Sequence, residues 1–243
     1  MTEGIEFAGA EELLREAEFV DCRPVWYSSN YVYLAQLCAR ERQFAAIYKP
    51  QQGESPLWDF PDGALYRHEA AAYELSKLLG WPFVPPTVVR DGPQGVGSVQ
   101  LFVPHDPGQH FFEQRERPEL LPQLQRICVF DAIANNADRK GGHCLLDSSD
   151  HIWGIDHGLC FHPQDKLRSV IWDWAGEDIP AGLLADVEEA GQAIAAEAPE
   201  AAPLLGLLHQ HESAPLLHRM ERLLKLGKFP VPGQNRHYPW PLV

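Results

Sequence analysis

The side chains best able to do chemistry are concentrated in Asn-Asn-Ala-Asp-Arg-Lys-Gly-Gly-His over 135–143 and Ile-Trp-Gly-Ile-Asp-His-Gly over 152–158. Asp138 stands just past an apolar helical run, in a glycine-rich turn. His143 follows five residues later, and Asp156 eighteen residues after Asp138, where a short apolar strand pattern ends. Two carboxylates and a further ligand at these intervals suit phosphoryl transfer from a metal nucleotide. One carboxylate orients the attacking group, the second holds Mg²⁺ against the phosphates, and the ligand five residues past the first completes the metal site. Taken singly, Asp138 and Asp156 also read as ordinary turn aspartates. His143, His151, His157 and His162 with the same carboxylates would also suit a metallohydrolase that activates water. No His-Glu-x-x-His or His-x-His pair is present to carry that alternative.

The elements that must position these groups follow from periodicity and turn residues. An acidic helix is expected over 9–19. Two strand-like runs, 24–37 with a small polar turn at Ser28-Ser29-Asn30 near its middle and 43–48, predict a hairpin. A loop rich in proline and glycine occupies 50–63. The clearest helix spans 65–79, Ala- and Leu-rich, with Gly80 placed to end it. A second hairpin is expected from 85–91 and 97–103, then a polar connector over 104–118. The run 120–137 predicts a long buried helix with Pro122 in its first turn. Short strands at 144–147 and 151–156, helices across 182–226 and a proline-rich extended tail complete the chain. A strand-rich first part and a helical second part predict an α+β fold of two lobes.

The Asp138-Arg139-x-x-x-His143 turn and the Ile155-Asp156-His157-Gly158 segment resemble the catalytic loop and metal motif of the protein-kinase-like superfamily. They are most similar to its atypical branch, the phosphoinositide 3-/4-kinases and HipA-type kinases, where the motifs read Asp-Arg-x-x-x-Asn and Ile-Asp-Phe-Gly. The wider sequence, over most of 20–180, also resembles an actinobacterial family of such kinase-like proteins. The resemblance implies a small bilobal kinase-like fold, with an N-lobe within 1–103 and a C-lobe over 104–243. It implies ATP between the lobes, a divalent cation (Mg²⁺ or Mn²⁺), and an acceptor hydroxyl on a lipid, small molecule or protein. Lys49 matches the lysine that contacts the α/β-phosphates, and Glu69 the acid that pairs with it, with Glu74 as the competing acid. Ser28 and Ser29 match the turn that covers the phosphates. The segment from Gln100 through Phe102 and Val103 matches the adenine-reading hinge. Asp138 would orient the acceptor, Arg139 or Lys140 would neutralise developing γ-phosphate charge, and Asp156 with His143 would hold the metal. Two positions depart from the family pattern. His143 stands for Asn and suits Mn²⁺ or Zn²⁺ more than Mg²⁺, and His157 stands for an aromatic. The first departure supports an alternative, a nucleotide-binding pseudokinase without turnover. Transfer of a nucleotide fragment such as AMP is a third reading.

Composition narrows the rest. The chain of 243 residues carries 20 Lys and Arg against 34 Asp and Glu, a net charge of −14. That balance disfavours nucleic acid and anionic membrane surfaces as partners. No apolar run is long enough for a membrane span, and the acidic start does not read as a signal peptide. Five cysteines without a Cys-x-x-Cys pair predict reduced thiols in a cytoplasm.

Overall fold

The computed structural model describes residues 9–25, 31–55, 57, 60, 63–233 and 237–243. Helix α1 (Ala10–Glu16) leads into strands β1 (Glu18–Val25), β2 (Val32–Ala39) and β3 (Arg42–Pro50). Helix α2 (Leu65–Leu78) follows, then β4 (Thr87–Gly92) and β5 (Gly95–Leu101). The five strands form one antiparallel sheet in the order β1-β2-β3-β5-β4. From Ala35 in β2 and from Phe44 in β3 every second residue is buried, the period-2 pattern of a sheet with one covered face. Leu37, Phe44, Tyr48, Val88 and Val99 pack there under Leu13 and Leu14 of α1. Strand β1 begins at Glu18, inside the stretch expected to be helical, because Ala17 turns to an extended backbone.

Helix α2 is the hinge piece of the architecture. Its apolar stripe (Ala71, Ala72, Leu75) joins the core of the helical half. The first turn has no cap of its own. Glu54, eleven residues upstream, accepts hydrogen bonds from Leu65 N and Tyr66 N at 3.1 and 2.8 Å, satisfying two of the orphan donors at the positive end of the helix. Gly80, at φ 67°, ends the helix as the sequence predicts, with Trp81 N bonded back to Ser76 O.

The helical half contains α3 (Phe111–Gln114), α4 (Leu121–Ala134), α5 (Ala181–Ala195), α6 (Ala202–Leu207) and α7 (Gln210–Leu226), with a small hairpin of β6 (Cys144–Leu146) and β7 (Ile152–Gly154). The polar connector expected over 104–118 carries the short helix α3. Leu124, Ile127, Phe130 and Ile133 of α4 meet Val187 and Ile194 of α5 and Leu216, Met220 and Leu223 of α7. Asn135, in the left-handed region at φ 58°, stops α4 three residues before Asp138. The tail folds back on this half: His237 O accepts from Ser169 N at 3.0 Å and Leu242 O from Gly141 N at 2.7 Å. The whole is a two-lobed α+β fold, as expected.

Candidate active site

Between the sheet and the helical half lies a cavity of about 160 Å³ whose walls include Lys49, Glu69, Asp138, Lys140, Asp156 and Gly158. Lys49 comes from the end of β3, Glu69 from α2 and Asp156 from the turn after β7. Gly97 lets β5 pass close beside Lys49: a Cβ there would collide with the Lys49 carbonyl oxygen and the Pro50 Cα.

The Lys49 ammonium joins three segments. It pairs with Glu69 Oε1 and, at 2.8 Å, with Asp156 Oδ1. Burial works against its charge, but the Asp156 and Glu69 carboxylates more than compensate and raise its pKa. Reciprocally, Lys49 holds the Asp156 carboxyl well below the usual carboxylate range. Glu69 is 3% exposed and also accepts from the backbone N–H groups of His157 (3.1 Å) and Gly158 (3.2 Å). Glu74 instead pairs with Lys77 at 2.9 Å, which settles the competition between the two acids. Asp156 itself sits at φ 61°, in the left-handed region that Asp tolerates better than most residues.

Asp138 faces the same cavity. Its N–H is held by Asn136 Oδ1 at 3.0 Å, and its carboxylate lies 3.1 Å from Lys140 Nζ. Burial pushes the Asp138 carboxyl up. Lys140 pulls it down and the Asp156 charge adds to the rise.

Arg139 requires a correction. The resemblance offers Arg139 or Lys140 as the cation for γ-phosphate charge, and Arg139 is fully buried, which removes it from that part. Its guanidinium makes a two-point pair with Asp131 of α4 at 2.8 and 2.9 Å. It also donates to His143 O (3.3 Å) and Ile155 O (3.0 Å) and meets His157 Nε2 at 2.7 Å. Every face of the group is occupied, so it braces the loop from beneath. Lys140 is the cation of this turn that faces the cavity. The mid-helix Asp131, a lone charge in the apolar run Ile-Cys-Val-Phe-Asp-Ala-Ile, was the sequence signal for a buried cation partner.

The two histidine departures also have physical accounts. His157 packs its ring edge-on to Phe130 (5.5 Å) and Phe83 (6.3 Å), in the manner of an aromatic. Burial first, then the Arg139 charge, push its pKa well below the ordinary value, so the ring is neutral. His143 Nε2 lies 3.3 Å from Asp156 Oδ2, while Nδ1 accepts from Lys140 N at 3.4 Å. That pattern places the ring hydrogen on Nε2, pointing at Asp156. Burial pushes the His143 pKa down to about 4.

The expected hinge is shorter than the sequence implied. Gln100 is not at the cleft edge: it lies inside β5 between Ile47 and Thr87, with its amide bonded to Thr87 Oγ1 at 2.9 Å. Phe102 spends its N–H on Ala45 O at 3.1 Å. Val103 packs with Leu145, Trp153 and Ile155 in a small apolar cluster. Ser28 and Ser29 lie outside the described residues.

As a cation site, Asp156 fits: an ionised carboxylate, half exposed, on the cavity wall. Among the described residues no group of three or more His, Cys, Asp or Glu is placed to hold a metal. A cation at Asp156 would need oxygens from a bound partner. No helix among the described residues is long and apolar enough to cross a membrane.

A family model described as phosphatidylinositol 3- and 4-kinase matches residues 81–191. The fold is similar to that of the Golgi casein kinase with Mn/ADP bound, with a TM-score of 0.56 at 13% identity, covering 90% of this chain and 75% of that one. It is also similar to hydra Fam20 with sugar, with a TM-score of 0.56 at 12% identity, covering 93% of this chain and 89% of that one. Protein Rv2133c of Mycobacterium tuberculosis is 38% identical over 262 aligned positions that span 94% of each chain. The chain thus belongs to the family of Rv2133c, and its fold is similar to that of bilobal kinases.

Proposed function

We propose that the protein transfers the γ-phosphoryl group of ATP to an acceptor hydroxyl. The observation that carries this reading is the Lys49 ammonium held between Glu69 and Asp156, with Asp138 and Lys140 on the same cavity wall. Lys49 supplies a fixed point charge for the α/β-phosphates. Asp156 holds a divalent cation, which when bound neutralises phosphate charge. Asp138 orients the acceptor and takes its proton as the oxygen–phosphorus bond forms and the bond to the ADP oxygen breaks. Its raised pKa suits a base, because a weakly basic carboxylate would return the proton too readily. Lys140 stabilises the charge on the transferring group. Val103 and Phe102 edge the adenine end. The free thiols of Cys22, Cys38, Cys128, Cys144 and Cys160 suit a reducing compartment such as the cytoplasm.

His143 favours a second reading, a nucleotide-binding module that does not turn over. With its hydrogen toward Asp156 it supports that carboxylate, and it becomes a metal ligand only if the tautomer reverses. Calorimetry with ATP plus Mg²⁺ or Mn²⁺, followed by product mass with lipid, peptide and small-molecule acceptors, tests both. Asp138→Asn should keep ATP affinity within a few-fold while turnover falls by about 10²–10⁴. Asp156→Asn should lose metal-dependent ATP binding itself. Binding without turnover above the Asp138→Asn background selects the second reading, an adenylated product indicates AMP transfer, and no binding at all refutes the nucleotide assignment.

A further inference from the structure

Beneath the cleft, and outside the set of residues assigned above, two buried polar side chains meet from opposite halves of the molecule. His68 on α2 is 1% exposed and Glu212 on α7 is 2% exposed. His68 Nε2 lies 2.9 Å from Glu212 Oε1, and His68 Nδ1 lies 3.0 Å from the carbonyl oxygen of Gly158. The other Glu212 oxygen accepts from His209 N at 2.8 Å, so Glu212 also caps the first turn of α7. The ring edges against Phe60 and Phe161.

We propose that His68 and Glu212 are a positioning pair that fixes α2 and the Asp156-His157-Gly158 turn in the register that brings Lys49, Glu69 and Asp156 together. Glu69 takes the N–H groups of His157 and Gly158, while its neighbour His68 takes the Gly158 carbonyl. Two consecutive residues of one helix therefore grip the turn through both donors and its acceptor. Glu212 anchors that grip to α7, so α2 cannot shift from the turn without breaking the buried contact.

Hydrogen-bond bookkeeping sharpens the point. The Gly158 carbonyl can only accept, so Nδ1 carries a hydrogen there. A second hydrogen must then lie on the line between Nε2 and Glu212 Oε1, whichever atom holds it. An ionisable pair in so apolar a setting is costly unless its geometry is used, and an apolar pair would pack there at less cost. Positioning the turn is the use that the contacts identify.

The functional consequence rests on the nucleotide reading of the cleft; the positioning does not. Glu212→Ala and His68→Phe remove the link, whereas Glu212→Gln keeps the cap and offers Nε2 an amide hydrogen. Amide hydrogen exchange on the ligand-free protein reads positions 157 and 158 directly. In Glu212→Ala and His68→Phe these amides should exchange about tenfold faster, the scale of one or two lost hydrogen bonds, with Glu212→Gln near wild type. The dissociation constant for ATP with Mn²⁺ should weaken by a similar factor in the first two variants and recover in the third. Unchanged exchange at 157 and 158 overturns the proposal. Equal acceleration of every amide in all three variants overturns it too, because it would show only bulk support. If wild type binds no ATP but the local exchange pattern holds, the nucleotide reading fails and the positioning pair stands. Should Glu212→Ala and His68→Phe fail to fold, ring ¹⁵N spectra of the wild type decide: a slowly exchanging His68 Nδ1–H supports the pair, and its absence overturns it.

Discussion

Arg139→Met is the sharpest perturbation available, because two roles for Arg139 predict opposite outcomes. As a cleft residue it would affect turnover alone. The structure instead shows five contacts from a fully buried guanidinium: two to Asp131, two to the carbonyls of His143 and Ile155, and one to His157. Methionine fills much of the volume but strands a carboxylate that is 1% exposed. Removing one partner of a buried pair costs about 3–5 kcal/mol. In a chain of this length each kcal/mol lowers the thermal midpoint by about 2–4 °C, so the expected fall is about 6–20 °C. Thermal unfolding followed by circular dichroism measures it without any substrate. Adding Asp131→Leu to Arg139→Met should recover a large part of the loss, since the stranded charge is gone, and a double-mutant cycle isolates the pair. An unchanged midpoint combined with lost turnover would refute the structural role and return Arg139 to the reaction.

Lys49→Met should weaken ATP binding by at least about tenfold, the equivalent of 1.4 kcal/mol, because the ammonium shared by Glu69 and Asp156 is lost; calorimetry decides. Gly97→Ala should reduce both stability and nucleotide affinity, since the new Cβ forces β5 away from β3 at Lys49, and parallel unfolding and binding titrations would show whether the two fall together. His143→Asn should leave the Mg²⁺/Mn²⁺ preference of ATP binding unchanged if His143 acts as a donor to Asp156, and shift it toward Mg²⁺ if His143 is a ligand. For the pH profile, the base form of Asp138 is required, so turnover falls as pH drops through its raised pKa. Lys140→Met removes the group pulling that pKa down and should move the acid limb to higher pH.

What the sequence made legible was the part of the site built from local punctuation. Lys49 ends an alternating strand just before a proline loop, Glu69 lies one turn into an Ala-rich helix, and the intervals from Asp138 to Asp156 fit a turn and a hairpin. These features depend on neighbours a few residues away. The misread residues depend on partners that spacing does not reveal. Arg139 looked cleft-facing because it follows Asp138 in a polar turn, and its burial follows from an aspartate one helix earlier. His68 and Glu212 are 144 residues apart and meet only after both halves have packed. Gln100 is assigned to the hinge only through the family resemblance, whereas the ladder with β3 and β4 extends through it. Strand β1 escaped notice for a different reason: at the sheet edge most of its residues are exposed, so no alternation marks it.

The two histidines that depart from the expected motifs share one support. Arg139 meets the ring of His157 and the backbone carbonyl of His143, and its charge, after burial, contributes to lowering the pKa of both rings. Both imidazoles therefore stay neutral at physiological pH and add no charge to the cleft. Among the described residues the cavity wall is left with Lys49 and Lys140 against Glu54, Glu69, Asp138 and Asp156. A triphosphate entering such a wall meets more negative than positive charge, and Lys49 is already shared between two carboxylates. On the proposed reading, the balance would come from a cation that enters with the nucleotide, and the Asp156 carboxylate, kept ionised by Lys49 and half exposed, is the group that reading assigns to receive it.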